Sequence, residues 1–338
     1  MHSTTASYRL PDLHSLCPWK AALNPHYKEV AIASTEWTYT YTSRMPELCD
    51  KMDLLARSFG ELLAAYTFPH ASAEKLRICC DFNNLLFVVD EFTDDQSGSA
   101  AESTIRMLMD AFQDDNSAGD RSPLVLMLKD FKGRLFPTMG DAALRRFFRH
   151  FEDYLRAIWK EAELREEDIV LGIDAYEAQR RPCSAVHLVF DMIACVTGVD
   201  LPDAVFDHPE YNELYYAAMD MVTWSNDVYS YNIEQSVGHY ACNVLTVLMR
   251  QNGVTLQEAA DLVGVHFKTL VDRFEAAKAR LPSFGEEQNF VVSRYVAGLE
   301  DWVVGNLEWS FATQRYFGRN HGSVKETLVV DLYPLRTA

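Results

Sequence analysis

Glycine and proline are scarce in this chain, with 15 Gly and 12 Pro among 338 residues. That is too few for a long linker or for an all-β chain dense in turns. Long apolar runs are missing too. No stretch approaches the roughly 20 uncharged apolar residues that a bilayer span requires, and residues 1–30 carry Pro and charges but no apolar segment that would read as a signal peptide. The seven cysteines are odd in number and include no CxxC pair, which argues against a disulfide framework and for reduced thiols in a cytoplasmic protein. Basic residues are also few: 31 Lys+Arg stand against 49 Asp+Glu, a formal charge of −18. That field repels nucleic acid and anionic membranes, and no basic run overcomes it. Any anionic substrate would have to be drawn in by divalent cations or by a few placed arginines.

What is present is helical periodicity. Residues 48–66, 76–92, 103–112, 144–163 and 211–235 place apolar side chains at spacings of three and four. Turn chemistry separates them at 94–103, 113–123, 201–210 and 281–289. With 48% hydrophobic residues, little strand-like alternation and no internal repeat, the chain reads as one all-α domain over 1–338. It has ten or so helices, an N-terminal segment at 1–30 and a C-terminal tail at 321–338.

Two of these helices end in oxygen ligands. In Phe87-Val-Val-Asp90-Glu91-Phe-Thr-Asp94-Asp95 an apolar run passes directly into four carboxylates, and Asp90 and Asp94 share a helical face above Phe87. Like charges so placed repel and raise one another's pKa values unless a cation is present. Mg²⁺ suits the role because it takes one or two carboxylates together with waters and phosphate oxygens. Taken alone, a helix running into a solvated acidic loop has the same pattern. In the second segment, Asn226, Ser230 and Glu234 recur every fourth residue, an amide, a hydroxyl and a carboxylate on one stripe that is apolar one and two turns earlier at Val222 and Met219.

The pair D-E-F-T-D and N-D-x-x-S-x-x-x-E, about 135 residues apart, resembles the class I terpene synthase family, in particular fungal sesquiterpene cyclases of the basidiomycete type. The resemblance spans nearly the whole chain, because Tyr176 followed by Arg180-Arg181-Pro182-Cys183-Ser184-Ala185 is similar to the family's diphosphate-sensing segment. Trp302-x-x-Gly305-Asn306-x-x-Trp309 leading to Arg315-Tyr316 is similar to its closing signature. It implies a single-domain helical bundle around a central cavity, a cytoplasmic monomer or homodimer, and a trinuclear Mg²⁺ cluster holding a prenyl diphosphate. Asp90 carries the first metal-ligand role with Glu91 and Asp94 nearby; Asn226, Ser230 and Glu234 bind another ion. Arg181 is the diphosphate sensor, and Arg315 and Tyr316 donate hydrogen bonds to the same group. Phe87 and Trp309 are expected to line the pocket as cation-stabilising aromatic faces, whereas Tyr66 and Phe68 read as plain core. Departures from the family pattern are Cys183 and Ala185 in the sensor segment, Val237 and His239 where a basic residue often follows the second motif, and Glu91 where many relatives have Asp.

The implied activity is ionisation of farnesyl diphosphate and cyclisation to a sesquiterpene, protoilludene being one possible skeleton. Alternatives are an acyclic alcohol of the linalool or nerolidol type, prenyl chain elongation, and a non-enzymatic helical scaffold. Chain elongation is disfavoured because that chemistry resembles enzymes with two Asp-rich motifs. A protonation-initiated cyclase lacks its D-x-D-D motif here, a di-iron bundle lacks Glu-x-x-His, and an EF-hand lacks its spacing and central Gly.

Overall fold

The computed structural model describes residues 6–94, 96–113 and 121–335; Asp95 lies outside them. The described chain is helical almost throughout. Its longer helices are α1 (Tyr27–Thr42), α2 (Gly60–Thr67), α3 (Ala73–Thr93), α4 (Gly98–Gln113), α5 (Pro123–Leu135) and α6 (Asp141–Glu166). They continue with α7 (Ile173–Cys183), α8 (Val186–Thr197), α9 (Pro209–Val237), α10 (Val244–Asn252), α11 (Leu256–Arg280) and α12 (Glu286–Ala312). A connected set of buried apolar side chains extends from Tyr8 to Val330, and no described helix is long and apolar enough to cross a membrane. All seven cysteines are unpaired thiols.

Helix ends follow local chemistry. Ser72 caps α3 by accepting from the Lys75 amide, Pro sits in the first turn of α9 and Gly238 closes it at φ +88°, and Thr255 with Glu258 forms a capping box on α11. α9 is the central element: it packs along α11 and α12 and is buried around most of its circumference, as expected for a helix without a wide polar face.

One expectation needs correction. The periodic stretch 48–66 is not one helix. A 3₁₀ turn (Pro46–Lys51) leads into a short helix (Met52–Ser58), the chain breaks at Phe59, which takes φ +50°, and α2 follows. The break leaves backbone carbonyls that side chains from α12 and the residues after it satisfy, a tertiary reason invisible to periodicity. The described parts of the N-terminal segment and the C-terminal tail meet. Strand β1 (Ser7–Arg9) pairs antiparallel with β2 (Val329–Asp331), Tyr8 opposite Val330, and Tyr8 Oη donates to the Val228 carbonyl of α9 at 3.1 Å. Three-residue strands separated by the whole chain leave no local signature.

Candidate active site

A cavity of about 860 Å³ opens between α3, α6, the α7–α8 junction, α9 and α12, within the range typical of small-molecule sites. Its apolar wall includes Leu63, Leu86, Val189, Val222, Trp302 and Trp309. Asp90, Glu91 and Asp94 reach it from the end of α3, and Asn226, Ser230 and Glu234 reach it from α9. The two stripes that the sequence marks as ligand-bearing therefore border the same cavity. Among the described residues, no three His, Cys, Asp or Glu side chains converge on one metal position, so a cation here would draw on the Asn226 and Ser230 oxygens or on ligands from outside the protein.

Each stripe is balanced by an arginine. Arg315 donates to Glu91 Oε1 and to Asp90 Oδ2, both at 3.3 Å, and to Ser58 Oγ at 2.8 Å. Its guanidinium lies 4.8 Å from the centre of the Phe87 ring. Arg180 donates through Nη2 to Asn226 Oδ1 at 2.8 Å and through Nε to Asp227 Oδ1 at 2.9 Å. The Asn226 carboxamide is held at its other end too, its Nδ2 donating to Tyr316 Oη at 2.7 Å. Asp227 is fixed in turn by the Tyr176 hydroxyl and by the Val244 amide. A guanidinium thus occupies each oxygen-rich face, which shows that both faces accept positive charge.

The carboxylates need that charge. Burial, then the neighbouring Asp90 and Glu91, push the Asp94 carboxyl well above the usual range. Burial also raises Glu91, opposed first by Arg315. Burial, with Asp227 close by, raises Glu234 to about 7, although Ser230 and Asn243 hydrogen bonds oppose it. These shifts are what a divalent cation between the faces would reverse. The residue set fits Mg²⁺ in donor type, being oxygen throughout.

The sensor segment differs from the expectation. Arg180, not Arg181, lines the cavity. Arg181 turns away from the cavity lining, where it forks onto Asp220 at 2.8 and 2.7 Å and lies over the Tyr216 ring. Consecutive residues on a helix point about 100° apart, and the rotation of α7 turns Arg180 to the cavity and Arg181 to Asp220. Just beyond, Pro182 lies in the last turn of α7, which ends at Cys183, and Ala185 takes φ +59°, a left-handed conformation costing an L-residue roughly 1–2 kcal/mol. The chain is broken there even without glycine, and Cys183, Ser184 and Ala185 all border the cavity.

The closing signature is built by close approach. A β-carbon at Gly305 would lie 2.6 Å from the Tyr66 carbonyl oxygen, so only glycine lets α12 pack onto the end of α2. That approach brings Trp309 Nε1 to the Ser58 and Phe59 carbonyls at 3.0 and 3.1 Å, and Thr313 Oγ1 to the Arg57 carbonyl at 2.8 Å. Trp309 then stacks on Phe87 at 5.9 Å and meets Tyr316 edge-on at 5.5 Å, so the two predicted aromatics touch and line the cavity together.

Sequence reasoning overlooked Glu161 and Tyr154 of α6, and Arg165. All three line the cavity. Burial raises Glu161, opposed by Arg180, and Arg165 approaches Asp94 at 4.0 Å. Glu161 and Arg165 share a face at i, i+4, but in a helix dense with charge that pattern reads as solvated surface.

Comparison with known proteins places this arrangement. The profile described as "Terpene synthase family 2, C-terminal metal binding" matches residues 81–273, which include both oxygen-bearing stripes. The chain belongs to the terpene synthase family. A Coprinopsis cinerea protein named linoleate 10R-lipoxygenase COP4 is 42% identical over 99% of this chain and 95% of its own length. Viridiflorene synthase Agr2 of Cyclocybe aegerita is 37% identical over 92% and 82%. Among solved structures, germacradien-4-ol synthase from Streptomyces citricolor superposes with a TM-score of 0.74 at 25% identity, covering 87% of this chain and 96% of that one. The chain is thus a terpene synthase of helical fold with a metal-binding domain, and its substrates fall in the prenyl diphosphate class.

Proposed function

We propose that this terpene synthase is a Mg²⁺-dependent sesquiterpene synthase that ionises farnesyl diphosphate and cyclises the resulting cation. The observation that carries the reading is the meeting of two oxygen-bearing helix ends, each balanced by an arginine, at one apolar, aromatic-lined cavity. Asp90, Glu91 and Asp94 on one side and Asn226, Ser230 and Glu234 on the other would hold Mg²⁺, with three ions as the proposed number. The metal supplies Lewis-acid neutralisation of the leaving diphosphate's roughly three negative charges.

The chain's own residues do the rest. Arg180, Arg315 and Tyr316 stand where their N–H and O–H groups can donate to diphosphate oxygens, a task suited to the planar guanidinium fork; the sensor role passes from Arg181 to Arg180. When the allylic C–O bond breaks, its electron pair leaves with the diphosphate and a carbocation remains. Phe87, Trp309 and Trp302 face that cation with π-electrons and offer it no nucleophile, and the apolar wall keeps water from quenching it. The Asn226 carboxamide is fixed at both ends, its oxygen accepting from Arg180 and its nitrogen donating to Tyr316, which limits side-chain reorganisation at the site.

The name of the Coprinopsis relative would suggest an iron oxygenase. His239 is the single histidine among the described lining residues, so the cavity lacks the two-histidine, one-carboxylate set of non-haem iron oxygenases. Single-domain organisation, cytoplasmic location and a monomeric or homodimeric state complete the proposal. Incubation with geranyl, farnesyl and geranylgeranyl diphosphates plus Mg²⁺, followed by analysis of volatiles, tests it. Cyclic C15 products from farnesyl diphosphate are expected, and the absence of any hydrocarbon or alcohol would refute it.

A further inference from the structure

Beyond Asp331 the chain runs from β2 along the outer edge of α9, and the helix turn that carries Ser230 and Glu234 holds it there. Asn232 Nδ2 donates to the Asp331 carbonyl at 3.1 Å, the Tyr333 amide donates to Asn232 Oδ1 at 2.7 Å, and Gln235 Nε2 donates to the Tyr333 carbonyl at 2.8 Å. On its other edge β2 is paired with β1, which Tyr8 ties to α9. The backbone of residue 333 is therefore fixed to the turn of α9 that carries Glu234, through side chains on another face of the helix than the oxygen-bearing stripe, in a segment that is otherwise exposed.

Its side chain turns to the cavity. Tyr333 and Pro334 border the mouth, and the Tyr333 hydroxyl faces Gly318, where an added β-carbon would stand 3.5 Å from it. Gly318 belongs to the turn that follows Arg315 and Tyr316 and borders the same mouth. The phenol oxygen thus stands beside the turn that follows Arg315 and Tyr316. Among the described residues it makes no hydrogen bond, so nothing in the packing requires a hydroxyl there.

Resting on the reading above, we propose that Tyr333 is a further substrate-binding residue whose O–H donates to the diphosphate of the bound substrate. A phenolic O–H adds a donor at a mouth already crowded with carboxylates without adding a further guanidinium or ammonium for them to capture. The C-terminal strand and its anchors Asn232 and Gln235 then serve to position that donor.

The test compares wild type, Tyr333→Phe and Gln235→Ala for KM and kcat with farnesyl diphosphate, for inhibition by inorganic diphosphate in Mg²⁺, and for thermal melting. Tyr333→Phe should raise KM and weaken diphosphate inhibition by about ten-fold, the scale of one charge-assisted hydrogen bond, with kcat within about two-fold and melting unchanged. Gln235→Ala should shift KM the same way by a smaller factor. The proposal is overturned if Tyr333→Phe leaves both affinities within about two-fold, or if it lowers melting and kcat without touching them. A wild type that turns over while Tyr333→Phe matches it removes this inference alone; a wild type that releases no diphosphate removes the sesquiterpene synthase reading with it.

Discussion

Lysine at position 180 keeps the positive charge but removes the fork that reaches Asp227 and Asn226 together. Arg180 makes charge-assisted contacts at 2.8 and 2.9 Å to those two residues, and an ammonium can retain one of them. Each such bond contributes about 1.5–3 kcal/mol, so losing one at the position where diphosphate charge develops corresponds to roughly a 10- to 100-fold fall in kcat. Some stability should go as well, because Asp227 is left buried with only Tyr176 and the Val244 amide as close partners. Arg181→Lys loses a comparable fork onto Asp220, neither residue lining the cavity, so melting should drop modestly while turnover stays within about three-fold. Single-turnover diphosphate release on the two variants, with melting curves alongside, separates the cases. Near-wild-type release by Arg180→Lys with collapse in Arg181→Lys would refute the assignment.

Gly305→Ala would drive a β-carbon into the Tyr66–Thr67 backbone; a loss of about 1–3 kcal/mol in denaturant titrations is expected, with a fall in kcat because Trp309 and Arg315 lie downstream of the contact. His187, which is not among the cavity-lining residues, supplies a pH dependence. Burial, with His150 stacked at 4.5 Å, depresses its pKa to about 3. The unfolded chain therefore takes up a proton below about pH 6.5 that the folded chain does not, and stability present above that pH declines as pH falls toward 3. At pH 5 this amounts to about 2 kcal/mol, and His187→Gln should flatten the wild-type slope of stability against pH between 6.5 and 5.

Much of this was legible in the residues, and the limits have physical causes. Helices α3, α6 and α9 announce themselves because their apolar spacing is long and uninterrupted, and the ligand stripes are visible because three- and four-residue spacing fixes which oxygens share a face. That both stripes border one cavity follows from tertiary packing, which spacing does not encode. The Phe59 break was hidden because the carbonyls it frees are satisfied from Trp309 and Thr313, some 250 residues away. The choice between Arg180 and Arg181 needed the rotation of α7 about its axis, which a Pro near its end and a left-handed Ala185 set. The pairing of β1 with β2 rests on three residues at each end of the chain and carries no periodic signal at all.

On the proposed function the two stripes act together on a diphosphate. The most direct measurement is Mg²⁺-dependent release of inorganic diphosphate from farnesyl diphosphate by wild type, Asp90→Ala and Asn226→Ala, each checked for an unchanged circular dichroism spectrum. Both variants should lose release by more than about 100-fold while remaining folded; turnover at the wild-type rate in either one would contradict the account.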